Sequence, residues 1–312
     1  MEPNLLLIGL IQALFVLLTA PLYSGFSRVI RAKMHSRKGP PLTQNYLDIL
    51  KLMKRQEVIP APATWIFRVT PYIVMATALL IVMLLPLWTW QSPLGIVGDV
   101  ILVVYLFGTI RFFVAMAGLD SGSGFAGIGV SREMALGMLV EPTIILVLFV
   151  VALHAGSTNL GAISTAIGSG RVPFITPAIW LGLAAFALVS YIELGKLPYD
   201  MAEAEQEVQE GALTEYSGRG LALMKWGQAI KQMAVVGLFL SVFFPFGNAA
   251  SLELVPLLIG LVLFGVKMGL CYLVIGIIEN SMARATLFSV PRITWASLGI
   301  ALLSLIFYVV QA

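Results

Sequence analysis

The sequence offers almost nothing with which to hold a metal or a redox centre. Its one cysteine, Cys271, stands in an apolar run, and its two histidines, His35 and His154, lie far apart in unlike settings. A single thiol excludes a disulfide framework and the paired-cysteine spacings of zinc and cluster sites. No metal site or cofactor is therefore expected in this chain, and any redox centre it serves is expected on a partner. Charge is equally scarce. Only 11% of the 312 residues are charged, while 59% are hydrophobic; soluble domains carry about 25% charged residues. So long a chain cannot hide that much apolar surface in one aqueous core, so the bilayer is its expected solvent. No nucleic-acid partner is expected.

What the chain does have is long apolar runs. A transmembrane helix needs about 20 mostly apolar residues. Runs of that kind lie near 4–23, 69–90, 97–118, 134–155, 174–194, 229–246, 253–278 and 293–311. They predict an all-α integral membrane protein with about eight transmembrane helices, forming one membrane domain over 1–312. Helices are selected over a barrel because the runs are continuous rather than alternating. The first run lacks a basic start, so it does not read as a cleaved signal.

Arginine and lysine set the orientation. The first loop holds nine: Arg28, Arg31, Lys33, Arg37, Lys38, Lys51, Lys54, Arg55 and Arg68. Arg132, Lys196, Arg219, Lys225, Arg284 and Arg292 fall in later odd loops, and Arg171 alone falls in an even one. The odd loops, about 24–68, 119–133, 195–228 and 279–292, are therefore expected in the cytoplasm, with both termini on the far side.

The loops differ in character. The first contains the rigid turn S-R-K-G-P-P at 36–41, followed by Tyr46, Ile49, Leu50 and Met53 at helical spacing. A short helix along the membrane is predicted, bound either to anionic lipid or beneath a partner. Arg37, Gly39, Pro40, Asp48 and Lys51 are its docking candidates. The glycine-rich third loop lacks the lysine and strand context of a phosphate-binding loop, so close backbone packing is the expected use of its glycines. The fifth loop is the densest in charge: six of the sixteen acids lie between Asp200 and Glu215. Asp200, Glu203, Glu207 and Glu210 are spaced to share one face of a helix opened by Pro198 and closed by Gly211. Such a face either docks a partner or continues a proton relay; Glu205, Glu210, Glu215 and Tyr216 are docking candidates here.

Six charges fall in or at the ends of apolar runs: Arg111, Glu141, Glu193, Lys231, Lys267 and Glu279. Ionisable residues at membrane depth usually face the protein interior and line ion paths. Arg111 and Lys231 are placed to snorkel toward an interface. Glu141, followed by Pro142, and Glu193, at the edge of the acidic loop, are read as members of a buried polar path. The proton-path candidates are Glu141, Glu193, Asp200, Glu203, Glu207, Lys231, Lys267 and Glu279.

These residues also carry a resemblance. S-R-K-G-P at 36–40, D-I-L-K-L at 48–52, K-L-P-Y-D-M-A-E-A-E-Q-E at 196–207 and E-Y-S at 215–217 resemble the subunit 1 family of respiratory complex I. G-L-D-S-G-S-G-F at 118–125, Q-E-G-A-L-T-E-Y-S-G at 209–218, E-N-S-M-A-R at 279–284 and P-R-I-T-W at 291–295 are similar to its hydrogenase branch. The resemblance implies an eight-helix membrane anchor in a bacterial cytoplasmic (inner) membrane, in a complex of formate hydrogenlyase or hydrogenase-4 type. It implies as partners the large and small subunits of a nickel–iron (NiFe) hydrogenase, which would hold the NiFe centre and the iron–sulfur clusters. An antiporter-like membrane subunit and a formate dehydrogenase, reached through iron–sulfur proteins, are further implied partners. The chain itself would be non-catalytic. It also implies that Glu141 and Glu193 belong to the region of the quinone cavity and proton path. S-R-V-I at 27–30 and P-R-I-T-W-A-S at 291–297 depart from the quinone-reducing branch. The alternative is a subunit 1-like component of proton-pumping NADH:quinone oxidoreductase. A stand-alone transporter is disfavoured, since no internal repeat at half length is visible.

Overall fold

A computed structural model describes residues 3–286 and 289–311; the side chains of residues 3, 4, 96, 205, 206 and 311 lie outside the described set. The helices in chain order are α1 (Pro3–Met34), α2 (Gln44–Met53), α3 (Trp65–Leu84), α4 (Val100–Asp120), α5 (Gly124–Ala155), α6 (Leu160–Gly168), α7 (Pro177–Glu193), α8 (Glu205–Val208), α9 (Gly218–Phe243), α10 (Leu254–Ser281) and α11 (Val290–Gln311). No strand occurs among the described residues. Seven helices (α1, α3, α4, α5, α9, α10 and α11) are long and apolar enough to cross a membrane, and α7 is an apolar helix of 17 residues. The chain is thus a multi-pass membrane protein.

Helix α9 is the centre. Of its most apolar stretch 72% is buried, against 22–44% for the other long helices, although its mean hydropathy of 1.2 is the lowest of the set. A helix surrounded by protein can carry polar residues that lipid would reject, provided each finds a partner. Around it α3 packs against α1, α4 and α9, while α11 packs against α5 and α7. Phe186 of α7 meets Phe239 and Phe243 of α9 in the core.

Several boundaries differ from those expected. Helix α1 continues to Met34, so the first loop begins after residue 34 rather than near 24. Its last turns carry Arg31 and Lys33, which suit the negative end of a helix. Helix α2 falls where the spacing of Tyr46, Ile49 and Met53 places it. Helix α3 stops at Leu84, short of Pro86, and Gln12 in α1 donates to the freed carbonyls of Val82 (2.5 Å) and Leu85 (2.7 Å). The expected loop 119–133 is nearly all helix: α4 ends at Asp120 and α5 begins at Gly124. Asp120 caps the start of the neighbouring α3, accepting from Thr64 N at 2.8 Å and Phe67 N at 3.2 Å. The short helix α6, capped by Asn159, has no counterpart among the eight apolar runs.

The acidic fifth loop departs most. It does not form one helix from Pro198 to Gly211. Only Glu205–Val208 is α-helical, followed by a 3-10 turn at Gly211–Leu213. The reason is packing. Met201, Ala204, Val208, Leu213 and Tyr216 are all buried, so the chain folds its apolar residues inward as an irregular plug. Gly211 takes a left-handed φ of 54° and lies so close that a Cβ would sit 1.9 Å from the Ala202 carbonyl oxygen. Gly129 of α5 meets the same turn: a Cβ there would be 2.5 Å from Gly211 Cα. Of the third-loop glycines, Gly118 and Gly129 pack closely against the fifth loop and Gly122 against Pro62, whereas Gly124 and Gly127 have open space beside them.

Candidate functional site: a buried charge cluster beneath the acidic loop

Four helices bring charged side chains together at the base of the fifth loop. Arg111 comes from α4, Glu133 and Glu141 from α5, Glu193 from the end of α7 and Lys231 from α9. The Arg111 guanidinium bonds Glu141 through Nη1 and Glu193 through Nη2. Its Nε lies 3.8 Å from Glu133, beyond hydrogen-bond reach. Lys231 Nζ lies 2.8 Å from the other oxygen of Glu193. Arg111 and Glu193 are almost fully enclosed, with side chains 7% and 6% exposed, whereas Glu141 is 39% exposed. Arg111 and Lys231 therefore do not snorkel to an interface as expected. Both turn inward to share one carboxylate, since a buried charge left unpaired is strongly destabilising.

The path-candidate acids of the fifth loop are also engaged, each by a different partner. Asp200 accepts two hydrogen bonds from Arg284, at 2.9 and 2.6 Å. Glu207 pairs with Arg132 at 2.5 Å and Glu210 with Lys225 at 3.1 Å. Glu203 accepts from Gln228 at 3.0 Å. The expected single acidic face is thus dispersed, because four partners on two helices and a linker pull the carboxylates apart. Glu203 is exposed at the edge of open cavity space. Desolvation raises its pKa, and Glu133 and Glu210 add to the rise, while Lys196 and Lys231 oppose it.

That cavity, of about 620 Å³, lies between α1, α2, the fifth loop, α9 and the end of α10; Arg31, Lys51, Lys196 and Glu279 are among its walls. A recess lined by Arg111, Glu133, Glu193 and Lys231 shares Asp200, Glu203, Glu210 and Gln228 with it. Lys267 is elsewhere. Its ammonium donates to the carbonyls of Phe244 (2.8 Å) and Phe246 (2.6 Å), capping the end of α9. Of the path candidates, then, Glu193 and Lys231 are in direct contact and Glu141 joins them through Arg111. Asp200, Glu203 and Glu279 border the cavity, Glu207 faces Arg132, and Lys267 stands apart.

The docking candidates also separate. Arg37 and Pro40 are exposed, and Gly39 folds its turn onto α1, where a Cβ would lie 2.7 Å from Ala32 Cβ. Lys51 is exposed. Asp48 accepts from Gln44 (2.8 Å) and Arg28 (3.1 Å). Burial would raise its pKa, but those hydrogen bonds outweigh burial and hold it below the usual value. Glu210 is half-buried in its pair with Lys225, and Glu215 is half-buried. Tyr216 is 4% exposed, stacks on Phe67 with centroids 4.0 Å apart and donates to the Phe67 carbonyl at 2.8 Å. It cannot face a partner, which corrects its assignment to the surface. The side chain of Glu205 lies outside the described residues.

Sequence reasoning missed Arg111 as the hub, with Glu133 and Gly137 beside it, and missed Arg132, Arg284 and Gln228 as partners of the loop acids. Only the presence of an arginine inside an apolar run signalled the first of these. Gly137 gave no signal, yet a Cβ there would lie 2.4 Å from Arg111 Nη1.

Comparison with known proteins agrees with this architecture. The family described as NADH dehydrogenase matches residues 7–310. Formate hydrogenlyase subunit 4 of Escherichia coli (strain K12) is 48% identical over 297 residues, covering 95% of this chain and 96% of that protein. Hydrogenase-4 component C of the same strain is 46% identical over 304 residues, covering 97% and 96%. NADH-quinone oxidoreductase subunit 8 of Rhodothermus marinus is 28% identical over 267 residues, covering 80% of this chain and 77% of that protein. A chain in the structure of the membrane-bound sulfane sulfur reductase, an archaeal respiratory membrane complex, superimposes with a TM-score of 0.87 at 22% identity, covering 97% of this chain and 99% of that one. The last similarity shows the fold. Taken with the near-full-length family match, these identities show that the chain belongs to the NADH dehydrogenase family, of the complex I subunit 1 type, and that it falls with the hydrogenase-complex branch.

Proposed function

We propose that this chain is the membrane-anchoring and coupling subunit of a membrane-bound NiFe hydrogenase complex of formate hydrogenlyase or hydrogenase-4 type. The observation that carries this reading is the 46–48% identity, over almost the whole of both chains, with subunits named for those two complexes. In this reading α7 crosses the bilayer with the seven longer helices, giving eight spans. The basic first loop and the fifth loop face the cytoplasm, both termini lie outside it, and the membrane is the bacterial cytoplasmic membrane. The hydrogenase large and small subunits dock over the first and fifth loops and carry the NiFe centre and iron–sulfur clusters. Formate dehydrogenase joins through iron–sulfur proteins.

The buried acid cluster then couples the arm to an antiporter-like membrane subunit by relaying protons. Glu141 supports such a neighbour. It lies midway along the 32-residue α5 and is 39% exposed. A carboxylate at that depth is costly against lipid and is better placed against another protein. Purification of the native complex tests the reading. Hydrogenase large and small subunits are expected to co-purify with this chain, and their absence would overturn it. Quinone reduction is the second reading, favoured by the cavity of about 620 Å³ beneath the fifth loop. Inhibitor-sensitive quinone reductase activity in the purified complex would establish it in place of the first.

A further inference from the structure

We propose that the outward face of α5 around Pro142 is an interface for one occupant: a membrane-spanning helix of a second subunit, which brings a neutral N–H or O–H donor to the Met138 carbonyl beside Glu141. The proposal rests on the reading above, in which this chain works among other membrane subunits, and specifies the contact such a neighbour makes.

Three helices carry a proline in their interior: Pro21 in α1, Pro71 in α3 and Pro142 in α5. Proline has no N–H, so the carbonyl four residues before it loses its helical partner. At membrane depth that carbonyl needs a donor from another element, because lipid tails have none to give. Two of the three are supplied from within the chain, and in the same way. The Leu17 carbonyl, four before Pro21, accepts from Trp226 Nε1 at 2.8 Å. The Phe67 carbonyl, four before Pro71, accepts from the Tyr216 hydroxyl at 2.8 Å. Both donors are neutral ring groups, and Pro21 and Pro71 are both buried. Pro142 is the exception. It is exposed, Met138 four residues before it is 76% exposed, and no side chain among the described residues donates to the Met138 carbonyl. The gap in the α5 ladder therefore opens away from this chain.

The surroundings of that gap suit a helix rather than lipid. Glu141 follows Met138 by three residues, so the two share a face. Arg111 takes Glu141 Oε1, and no donor among the described residues reaches Oε2. Within the bonded set of Arg111, Lys231, Glu141 and Glu193 the charges cancel, so the missing donor is neutral, as in the two internal cases. Across from Glu141, Gly108 of α4 leaves a notch: a Cβ there would meet only Glu141 Oε1, at 4.0 Å. Exposed Tyr105 and Phe112 on α4 and exposed Met134 and Ile145 on α5 flank this stretch. Membrane helices associate through such small residues and through polar groups that bond across the contact. Headgroups are distant in the orientation proposed above, since Glu141 stands about 12 Å of helix beyond Glu133.

Photocrosslinking in native membranes tests the interface. A benzophenone-bearing residue in place of Met138 or Ile145 should form a light-dependent adduct with a second membrane protein. Lipid adducts alone, or none, would overturn the proposal. Electron cryomicroscopy of the purified native complex should then show a helix of that protein over Gly108, with an N–H or O–H donor within about 3.2 Å of the Met138 oxygen. An acyl chain, a water-filled crevice or a helix without a donor at that place would overturn it. Pro142→Ala returns an N–H to the Met138 carbonyl, so the captured subunit should leave about 2- to 10-fold faster in detergent. Release at the wild-type rate would also count against the proposal. If that variant fails to assemble, the crosslinks and the map still decide. Co-purification of hydrogenase subunits is scored separately: a helix seated on this face without them leaves the interface standing and removes the proposed function.

Discussion

At the scale of single residues, the buried charges are paired with an economy that the sequence only half revealed. Glu141 and Glu193 were legible because a carboxylate in an apolar run is conspicuous. Their cations were harder to read, since Arg111 and Lys231 precede the ends of their helices by enough to suggest snorkelling. Which way a long side chain turns depends on what the next helix offers, and that is a three-dimensional fact. Lys231→Met should therefore be severe. Glu193 would keep Arg111 but lose its second cation, and breaking a buried pair typically costs about 3–5 kcal/mol. The lower end is expected here because one partner remains, and thermal unfolding of the detergent-solubilised chain would measure it.

Glu203 gives a second residue-scale prediction. Its pKa is raised in the fold by desolvation and by Glu133 and Glu210. The folded state then holds the proton more tightly than the unfolded one, so this group's contribution is full below the ordinary carboxylate pKa and is lost as pH rises through the raised value. Glu203→Gln should flatten that part of the stability–pH curve. An unchanged curve would show that cavity water screens the group.

At the scale of elements, helix existence was legible and helix ends were not. Continuous apolar runs located every long helix, but α1 and α5 continue well past their apolar stretches. Backbone hydrogen bonding and the charged ends of a helix carry it into water, whereas hydropathy reports only the lipid-like middle. The fifth loop misled for a different reason. Its acids have helical spacing, but so many buried apolar residues lie between them that folding inward wins over an amphipathic helix. Gly129 and Gly211 make that packing possible. Gly211→Ala combines a left-handed backbone with a Cβ 1.9 Å from a carbonyl oxygen, so nothing nearby can yield cheaply. The variant is expected to release the loop from α5, read as new proteolytic cleavage between 198 and 217 in otherwise intact protein.

At the scale of the whole molecule, the distribution of basic residues bears on orientation and the interior bears on mechanism. Reporter fusions should place residues 36–41 and 205–210 in the cytoplasm and both termini outside it; a cytoplasmic terminus would contradict the charge reading. The two faces of the site also separate. The acids expected to share one face, for docking or for a relay, are mostly taken up by Arg132, Lys225, Gln228 and Arg284. The exposed bases of residues 31–55 remain available, so charge reversal at Lys51 and Lys54 should loosen the peripheral arm more than reversal at Glu207, by co-sedimentation with membranes.

The stacked rings of Tyr216 and Phe67 have a mechanical consequence. Phe67 is in the first turn of α3, and Tyr216 leads into the central α9, so the pair rivets the fifth loop to two long helices at once. A subunit gripping that loop would hold a stiff handle rather than a slack tether. Displacement applied at the surface would arrive in the helices with little lost to bending, and removing the hydroxyl alone, as in Tyr216→Phe, would add compliance at the joint. The expected sign is faster amide exchange in the loop without loss of the helices, at a stability cost of about 1–3 kcal/mol for the orphaned Phe67 carbonyl.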